Sequence, residues 1–330
     1  MDYSRGGMRR SRHFSSKLPA AILAVFSLAS CAVIEPPRIE DAERLRQTAV
    51  LVAEVKAFGR TLGIEATNAL AQTTSERPAL SMLWFWLQRK GTLALDAPID
   101  VRLAVGFSTL REKLGLERVY RVDGYSVYYR QGNEFADGRA VATQGFAAEA
   151  LVRRVQVILH EDLHGDENFA LPWELEEALV TPLGSLAASA FFVSKGDGEN
   201  LQRAQAAVVQ ERQLGRELRS LVQQAAKLFA GEPLEQARNR ILALMGDYPT
   251  YERYFRRQVV GQNALTALEA KLSHDLAYFR YFDAIIALSE KAPDLKTLIT
   301  DLKRLPRSVD GAGVDAYLVA LDGKYNGLPR

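Results

Sequence analysis

The sequence predicts a mainly α-helical protein (α+β) with a small β region in its first half. Apolar residues recur at helical spacing from Asp41 to about Leu62, and beyond residue 138 the chain is almost entirely helical in pattern. Between these parts, residues 99–105 and 119–130 are the best strand candidates. Asp123-Gly124, flanked by Val- and Tyr-rich runs, is a strong signal for a two-residue hairpin turn. We therefore expect a small β region followed by a large helical part.

Glycine and proline residues mark the expected ends of the helices. Gly63 suits the end of the first helix, a second helix is expected to end at His164-Gly165, and Pro172 suits the first turn of a later one. Thr181-Pro182 predicts that this later helix is kinked or restarted. A long helix is expected over about residues 201–229. Further helices are expected to start at Pro233 and Pro293, and one is expected to end at Gly246. Residues 132–138 are expected to form a polar loop. The aromatic-rich segment over 81–87 is expected to be part of the core, but its pattern does not decide between helix and strand.

The first thirty residues have the layout of an export signal. Five basic residues precede an apolar stretch, Leu18–Ala29, which is shorter than the roughly 20 residues that a membrane span needs. The stretch ends in Leu28-Ala29-Ser30-Cys31, which resembles the lipobox of bacterial lipoproteins. That resemblance implies cleavage before Cys31, lipidation of Cys31 and, with Ala32 following, sorting to the outer membrane facing the periplasm. The alternative is an ordinary signal peptide with a chance cysteine.

Removing this leader changes the charge of the chain. The full sequence has 42 basic and 40 acidic side chains, whereas 37 and 39 remain after residue 30, a net charge of −2. This balance gives no case for nucleic-acid binding, and no transmembrane span is expected in the mature chain. The predicted organisation is a signal peptide over 1–30, a lipid-anchored spacer over 31–40, an α+β region over 41–198 and a helical region over 199–330. The lone cysteine, Cys31, excludes an intramolecular disulfide.

The segment His160-Glu161-Asp162-Leu163-His164 carries a pattern typical of zinc peptidases. Residues four apart share one face of a helix, so His160 and His164 are expected to bind the same metal ion. Glu161 is expected to act as the general base on a metal-bound water that attacks a polarised carbonyl. Two of the three histidines after residue 30 are used at this spacing. The alternative is a surface helix that holds two histidines by chance.

A catalytic zinc site needs a third protein ligand. Glu174, Glu176 and Glu177 follow on the next predicted helix. Glu174 and Glu177 share a face, whereas Glu176 is expected to point elsewhere. Spacing does not choose between Glu174 and Glu177, and the three acids also suit the positive end of a helix. His274, Tyr278 and Tyr281 on a later helix are of residue types that can stabilise an oxyanion, but we expect each of them to be a core or surface residue instead.

The stretch 160–184 resembles a bacterial family of predicted lipoprotein aminopeptidases, which are zinc metallopeptidases of gluzincin-like type. In that family a His-Glu-x-x-His helix is followed, after a short loop, by a helix that opens Asn-Glu-Ser-Phe-Ala-Thr-Phe-Val-Gly. Here Glu176-Glu177-Ala-Leu-Val-Thr-Pro-Leu-Gly184 falls in the same register. The resemblance therefore implies a zincin-like fold with Glu177 as the third zinc ligand. The family's middle cysteine pair is absent from this chain, and Glu176 replaces its asparagine.

These patterns together predict an envelope-anchored zinc-dependent peptidase that hydrolyses peptide substrates, an aminopeptidase by family label. Zn²⁺ is the expected cofactor, bound by His160, His164 and Glu177. The chain lacks the Gly-x-Met-Glu-Asn sequence with which better-known zinc aminopeptidases hold a free amino terminus. The chemistry alone therefore predicts peptide-bond hydrolysis without specifying the end attacked. The competing hypothesis is a non-catalytic lipoprotein whose long helices bind a partner.

Overall fold

The computed structural model describes residues 39–75, 83–94, 99–104, 124–131, 141–165 and 167–327, and it is mainly helical in this part of the chain. The strands are Leu83–Arg89 (β1), Asp100–Ala104 (β2) and Tyr125–Gln131 (β3). The helices are Ile39–Thr61 (α1), Gln144–Ala148 (α2), Leu151–Leu163 (α3), Trp173–Lys195 (α4), Gly198–Gly231 (α5), Leu234–Leu244 (α6), Pro249–Gln258 (α7), Ala264–Phe279 (α8), Phe282–Ser289 (α9), Leu295–Leu302 (α10) and Gly311–Asn326 (α11), with a 3-10 turn at Met245–Asp247.

Several predictions made from the sequence fall outside the described residues. The signal over 1–30, Cys31 and most of the spacer are among them, as are the first arm of the expected hairpin and the loop over 132–138. The described residues belong to one compact unit. The division expected between residues 198 and 199 falls in the first turn of α5, inside this unit, and stays a prediction.

The three strands form an antiparallel sheet in the order β2-β1-β3. The aromatic-rich segment, left open by the sequence, is the central strand, and Phe85, Trp86 and Leu87 are buried in it. Neither an alternating pattern nor a helical one describes three consecutive buried residues, which explains why its periodicity was uninformative. In β3, Ser126 donates a hydrogen bond to the carbonyl of Thr266 at 2.8 Å and so ties the sheet to α8.

Helices α3 and α4 pack against each other and carry the predicted site residues. Their contact is close because Gly184 has no side chain: a Cβ atom there would lie 3.1 Å from the Cβ of His160. Of the two alternatives predicted at Thr181-Pro182, a kink or a restart, the restart is wrong, since α4 continues through Pro182. Burial of nearly all of its central residues stabilises this helix beyond the hydrogen bond that Pro182 removes.

Other predicted boundaries are confirmed. The first helix ends before Gly63, whose φ of +77° favours glycine, and α3 ends at His164 as its C-cap. Pro172 precedes α4, Pro233 precedes α6, and α10 begins two residues after Pro293. Among the described residues, α4 is long and apolar enough to cross a membrane, but 67% of its most apolar window is buried inside the protein, as in a core helix.

Candidate metal centre

The last two turns of α3 present His160 and His164 on one face. Behind them Val155, Ile158 and Leu159 are fully buried, which holds the helix against the core and leaves the histidines half-buried at the wall of a cleft. The two Nε2 atoms lie 3.1 Å apart. Two ring nitrogens at this distance share a hydrogen bond only if one of them carries a proton, whereas a metal ion uses both lone pairs.

Glu177, in the second turn of α4, completes the group. Its Oε2 atom lies 3.3 Å from Nε2 of His160 and 3.6 Å from Nε2 of His164. Although it is buried, this oxygen has no hydrogen-bond partner among the described residues. A buried carboxylate oxygen without a partner is costly, and a cation held by it and the two rings removes that cost.

The geometry of these three atoms fits a zinc ion. Zinc bonds of about 2.0–2.1 Å in a tetrahedron place ligand atoms about 3.3 Å apart. The three separations of 3.1, 3.3 and 3.6 Å lie around this value. Two imidazoles and one carboxylate are also a donor set that catalytic zinc sites use. Among the described residues, this is the group of histidine and acidic side chains with a metal-binding arrangement.

The comparisons with known proteins add no family to this geometry. No protein-family model, curated protein or solved structure matches the chain. The aminopeptidase resemblance therefore stays a prediction. The distances among His160 Nε2, His164 Nε2 and Glu177 Oε2 are the evidence for a metal centre.

Glu176 is closer to the site than the sequence predicted. Its Oε1 atom lies 2.7 Å from Nδ1 of His164, and its Oε2 atom accepts a hydrogen bond from the backbone N–H of Leu171 at 2.7 Å. The expectation that Glu176 points elsewhere is therefore wrong. A carboxylate on Nδ1 fixes the imidazole tautomer and leaves the Nε2 lone pair for a metal. Glu174, the other candidate ligand, lines the same cleft but is not part of the three-atom group.

Glu161 lies on the cleft wall beside the two histidines. Burial raises the pKa of its carboxyl group above the usual value, and the neighbouring His160 and His164 partly offset this. The pKa of Glu177 moves the other way: burial raises it, but the two histidines lower it by more. The two carboxyl groups therefore differ as the predicted roles require. A proton acceptor benefits from a pKa nearer the working pH, and a ligand must remain ionised.

His164 also has a shifted pKa in the metal-free protein. Burial lowers it, but contacts with Glu176 and Glu177 outweigh burial and raise it to about 10. The ring therefore holds a proton at neutral pH unless a metal ion replaces it. Metal binding is expected to release that proton.

Asp162, an unusual residue inside the motif, has a structural role. Its Oδ1 atom accepts hydrogen bonds from Lys56 Nζ and from the backbone N–H and hydroxyl of Thr67, the latter two at 3.0 and 2.8 Å. Lys56 belongs to α1, and Thr67 belongs to the loop that follows α1. Asp162 thus attaches α3 to the first helix from its buried side, opposite the cleft.

The cleft has a volume of about 1360 Å³ and extends from the metal centre to the sheet. Of the three residues considered for oxyanion stabilisation, His274 and Tyr278 on α8 line it. The third, Tyr281, donates its hydroxyl to the carbonyl of Gly311 at 3.2 Å and does not line the cleft. Sequence reasoning missed Trp84, Arg130 and Glu211, which also line it. Since these residues come from distant elements, no local spacing identifies them.

Proposed function

We propose that this protein is a zinc-dependent peptidase with a zincin-like arrangement of its metal helix. The observation that supports this most strongly is the convergence of His160 Nε2, His164 Nε2 and Glu177 Oε2 within 3.1–3.6 Å of one another. Glu161, a carboxylate that is not part of this group, lines the same cleft. Three ligands beside a separate base are the minimum that hydrolysis at such a centre requires.

Each side chain has a separate task in the proposed reaction. Zinc, when bound, polarises the scissile carbonyl and lowers the pKa of a coordinated water. His160, His164 and Glu177 hold the ion. Glu161 accepts a proton from the attacking water and passes it to the nitrogen of the leaving amine. Glu176 keeps the Nε2 lone pair of His164 directed into the cleft.

The proposed place of action is the bacterial envelope. Its support is the sequence alone: the apolar stretch Leu18–Ala29 followed by the lipobox-like segment that ends at Cys31. A lipid on Cys31 tethers the chain to the outer membrane, on the periplasmic side. The peptidase would then act on peptides within that compartment.

The first experiment measures metal content and turnover in the full chain. After removal of metal and reloading, elemental analysis is expected to give about one zinc per chain, and His160→Ala or His164→Ala to abolish it. On a peptide substrate found by screening, Glu161→Gln is expected to retain zinc and to lose about 10²–10⁴-fold in turnover. Glu149→Gln, which changes an exposed carboxylate just before α3, is the control.

Two results would contradict the proposal. The unmodified chain holding no zinc after reloading would remove the metal centre and favour the non-catalytic, partner-binding alternative. Full turnover by Glu161→Gln would leave a zinc enzyme but exclude Glu161 as its base.

A further inference from the structure

The sheet end of the cleft presents a cationic and aromatic surface. Trp84 on β1 and Arg130 on β3 are directly opposite each other across the two strands, and both line the cleft. The next pair on the same face is Trp86 with Tyr128, whose rings stack with centroids 5.5 Å apart. The guanidinium carbon of Arg130 lies 5.3 Å from the centre of the Trp86 ring. The guanidinium group of Arg130 thus packs against the ring of Trp86 and lines the cleft.

Among the residues that the structure describes, Arg130 has no carboxylate partner. Its guanidinium group contacts the ring of Trp86. Its Nε atom is buried without a hydrogen-bond acceptor, and so is Nε1 of Trp84. Both groups are donors only. Leaving a buried donor unsatisfied costs roughly 1–3 kcal/mol. Two such donors at facing positions indicate a site for an acceptor that comes from outside the chain.

A neighbouring ring supplies an acceptor. Nδ1 of His274 lies 2.9 Å from Oδ1 of Asp275, a carboxylate that Lys271 and the hydroxyl of Tyr251 also contact. Because an ionised carboxylate only accepts, the proton of the neutral ring is on Nδ1, and Nε2 carries a lone pair. This Nε2 atom is buried and has no partner among the described residues. The centroid of the His274 ring lies 4.6 Å from that of Trp86, the ring against which Arg130 packs.

This surface and the metal centre belong to one cleft, and Tyr278 links them. It is on the same helix as His274, with ring centroids 5.1 Å apart, and its ring meets that of Trp173 at the start of α4. Burial raises the pKa of its hydroxyl; Glu177 adds to this and Arg130 opposes it, so Tyr278 is within electrostatic reach of both ends.

We propose that Arg130 and Trp84 form a subsite for a carboxylate of the peptide substrate, with His274 Nε2 accepting a hydrogen bond from a neighbouring peptide N–H. The flat guanidinium fork matches the two oxygens of a carboxylate, and it binds them with directed, charge-assisted hydrogen bonds. A peptide offers this group at its carboxyl terminus or on an aspartate or glutamate side chain. The subsite deepens the peptidase function proposed above and depends on it for the identity of the ligand, although binding itself needs no zinc.

The test is calorimetric titration of the full chain after removal of metal, so that no peptide carboxylate is held by zinc. The probes are Ala-Ala-Ala-Ala, its carboxyl-terminal amide, and the amidated peptides Ala-Glu-Ala-Ala and Ala-Gln-Ala-Ala. One or both carboxylate-bearing peptides are expected to bind about tenfold or more tightly than the matched neutral peptide. The pair that differs in affinity shows whether the carboxylate comes from the terminus or from a side chain.

Substitutions test whether the preference for carboxylate-bearing peptides depends on Arg130 and Trp84. Arg130→Gln is expected to abolish it, Arg130→Lys to retain part of it, and Trp84→Phe to weaken it while keeping an aromatic ring. Arg203→Ala is the control, because Arg203 lines the same cleft but pairs with Glu199 at 2.5 Å. Circular dichroism verifies that each variant is folded.

The proposal is overturned if the unmodified chain binds both members of each pair equally, or if the full preference survives in folded Arg130→Gln. Loss of the preference in Arg203→Ala alone would place the subsite at the other wall of the cleft and equally contradict it. These outcomes are independent of zinc content. A chain that holds zinc and cleaves peptides without any carboxylate preference keeps the proposed function and loses only the subsite.

Discussion

Oε1 of Glu176 lies 2.7 Å from Nδ1 of His164, while the neighbouring Glu177 faces the Nε2 atom of the same ring. Consecutive residues of α4 thus contact the two nitrogens of one imidazole. Successive side chains on a helix are about 100° apart, so adjacent carboxylates reach around opposite sides of the ring. In the proposed zinc site, Glu176 orients the His164 ring and Glu177 is itself a ligand.

Glu176→Gln is therefore expected to weaken zinc binding without removing a ligand. The amide still reaches Nδ1 but carries no charge to hold the tautomer, and outer partners of this kind typically contribute about 10–100-fold in metal affinity. Competition with a chelator of known affinity measures the change. Unaltered zinc affinity in both Glu176→Gln and Glu176→Ala would show that the contact has no influence on the metal.

Glu177→Ala is expected to weaken zinc binding more than any substitution of Glu176, since it removes one of three ligand atoms. Glu174→Ala is the matched control, because Glu174 lies one turn earlier on α4 and lines the cleft outside the ligand group. The same chelator competition compares the two. If Glu174 rather than Glu177 controls zinc retention, the ligand on α4 is one helical turn away from the position assigned here.

Asp162→Ala is expected to destabilise the fold, because it leaves Lys56 as an unpaired buried charge. Breaking such a pair on one side typically costs about 3–5 kcal/mol in the free energy of unfolding. The double substitution Lys56→Met with Asp162→Ala removes the charge as well and is expected to recover much of the loss. Urea unfolding of the three proteins measures this. A double variant no more stable than Asp162→Ala would argue against the ion pair as the cause.

Cys31→Ser is expected to release the protein from membrane fractions, since the apolar stretch before it is too short to span a bilayer. Fractionation with high-salt and carbonate washes measures the release. Ser30→Ala keeps a small residue before the cysteine and is expected to remain bound. A serine variant that stays with the membrane through both washes would mean that the lipoprotein interpretation is wrong.

The sequence was most informative where the signal is local. The helical pattern around His160 and His164 is complete within α3, so its existence and its end at His164 followed from spacing. The continuity of α4 through Pro182 did not, because burial against neighbouring helices overrides a local signal to stop.

The rest of the site depends on relations between distant elements. The role of Glu176 depends on how α4 crosses α3, which no spacing within α4 reveals. Arg130 was visible in the sequence only as the end of a predicted strand, and its lack of a carboxylate partner among the described residues is a property of the folded chain. Tertiary relations of this kind have no periodic signature.

The absence of a side chain at Gly184 determines how closely the two ligand-bearing helices approach. A Cβ atom at position 184 would lie 3.1 Å from the Cβ of His160, so α3 and α4 would have to move apart by a few tenths of an ångström. Because His160 is on one of these helices and Glu177 is on the other, we expect Gly184→Ala to lengthen the separation of 3.3 Å between His160 Nε2 and Glu177 Oε2.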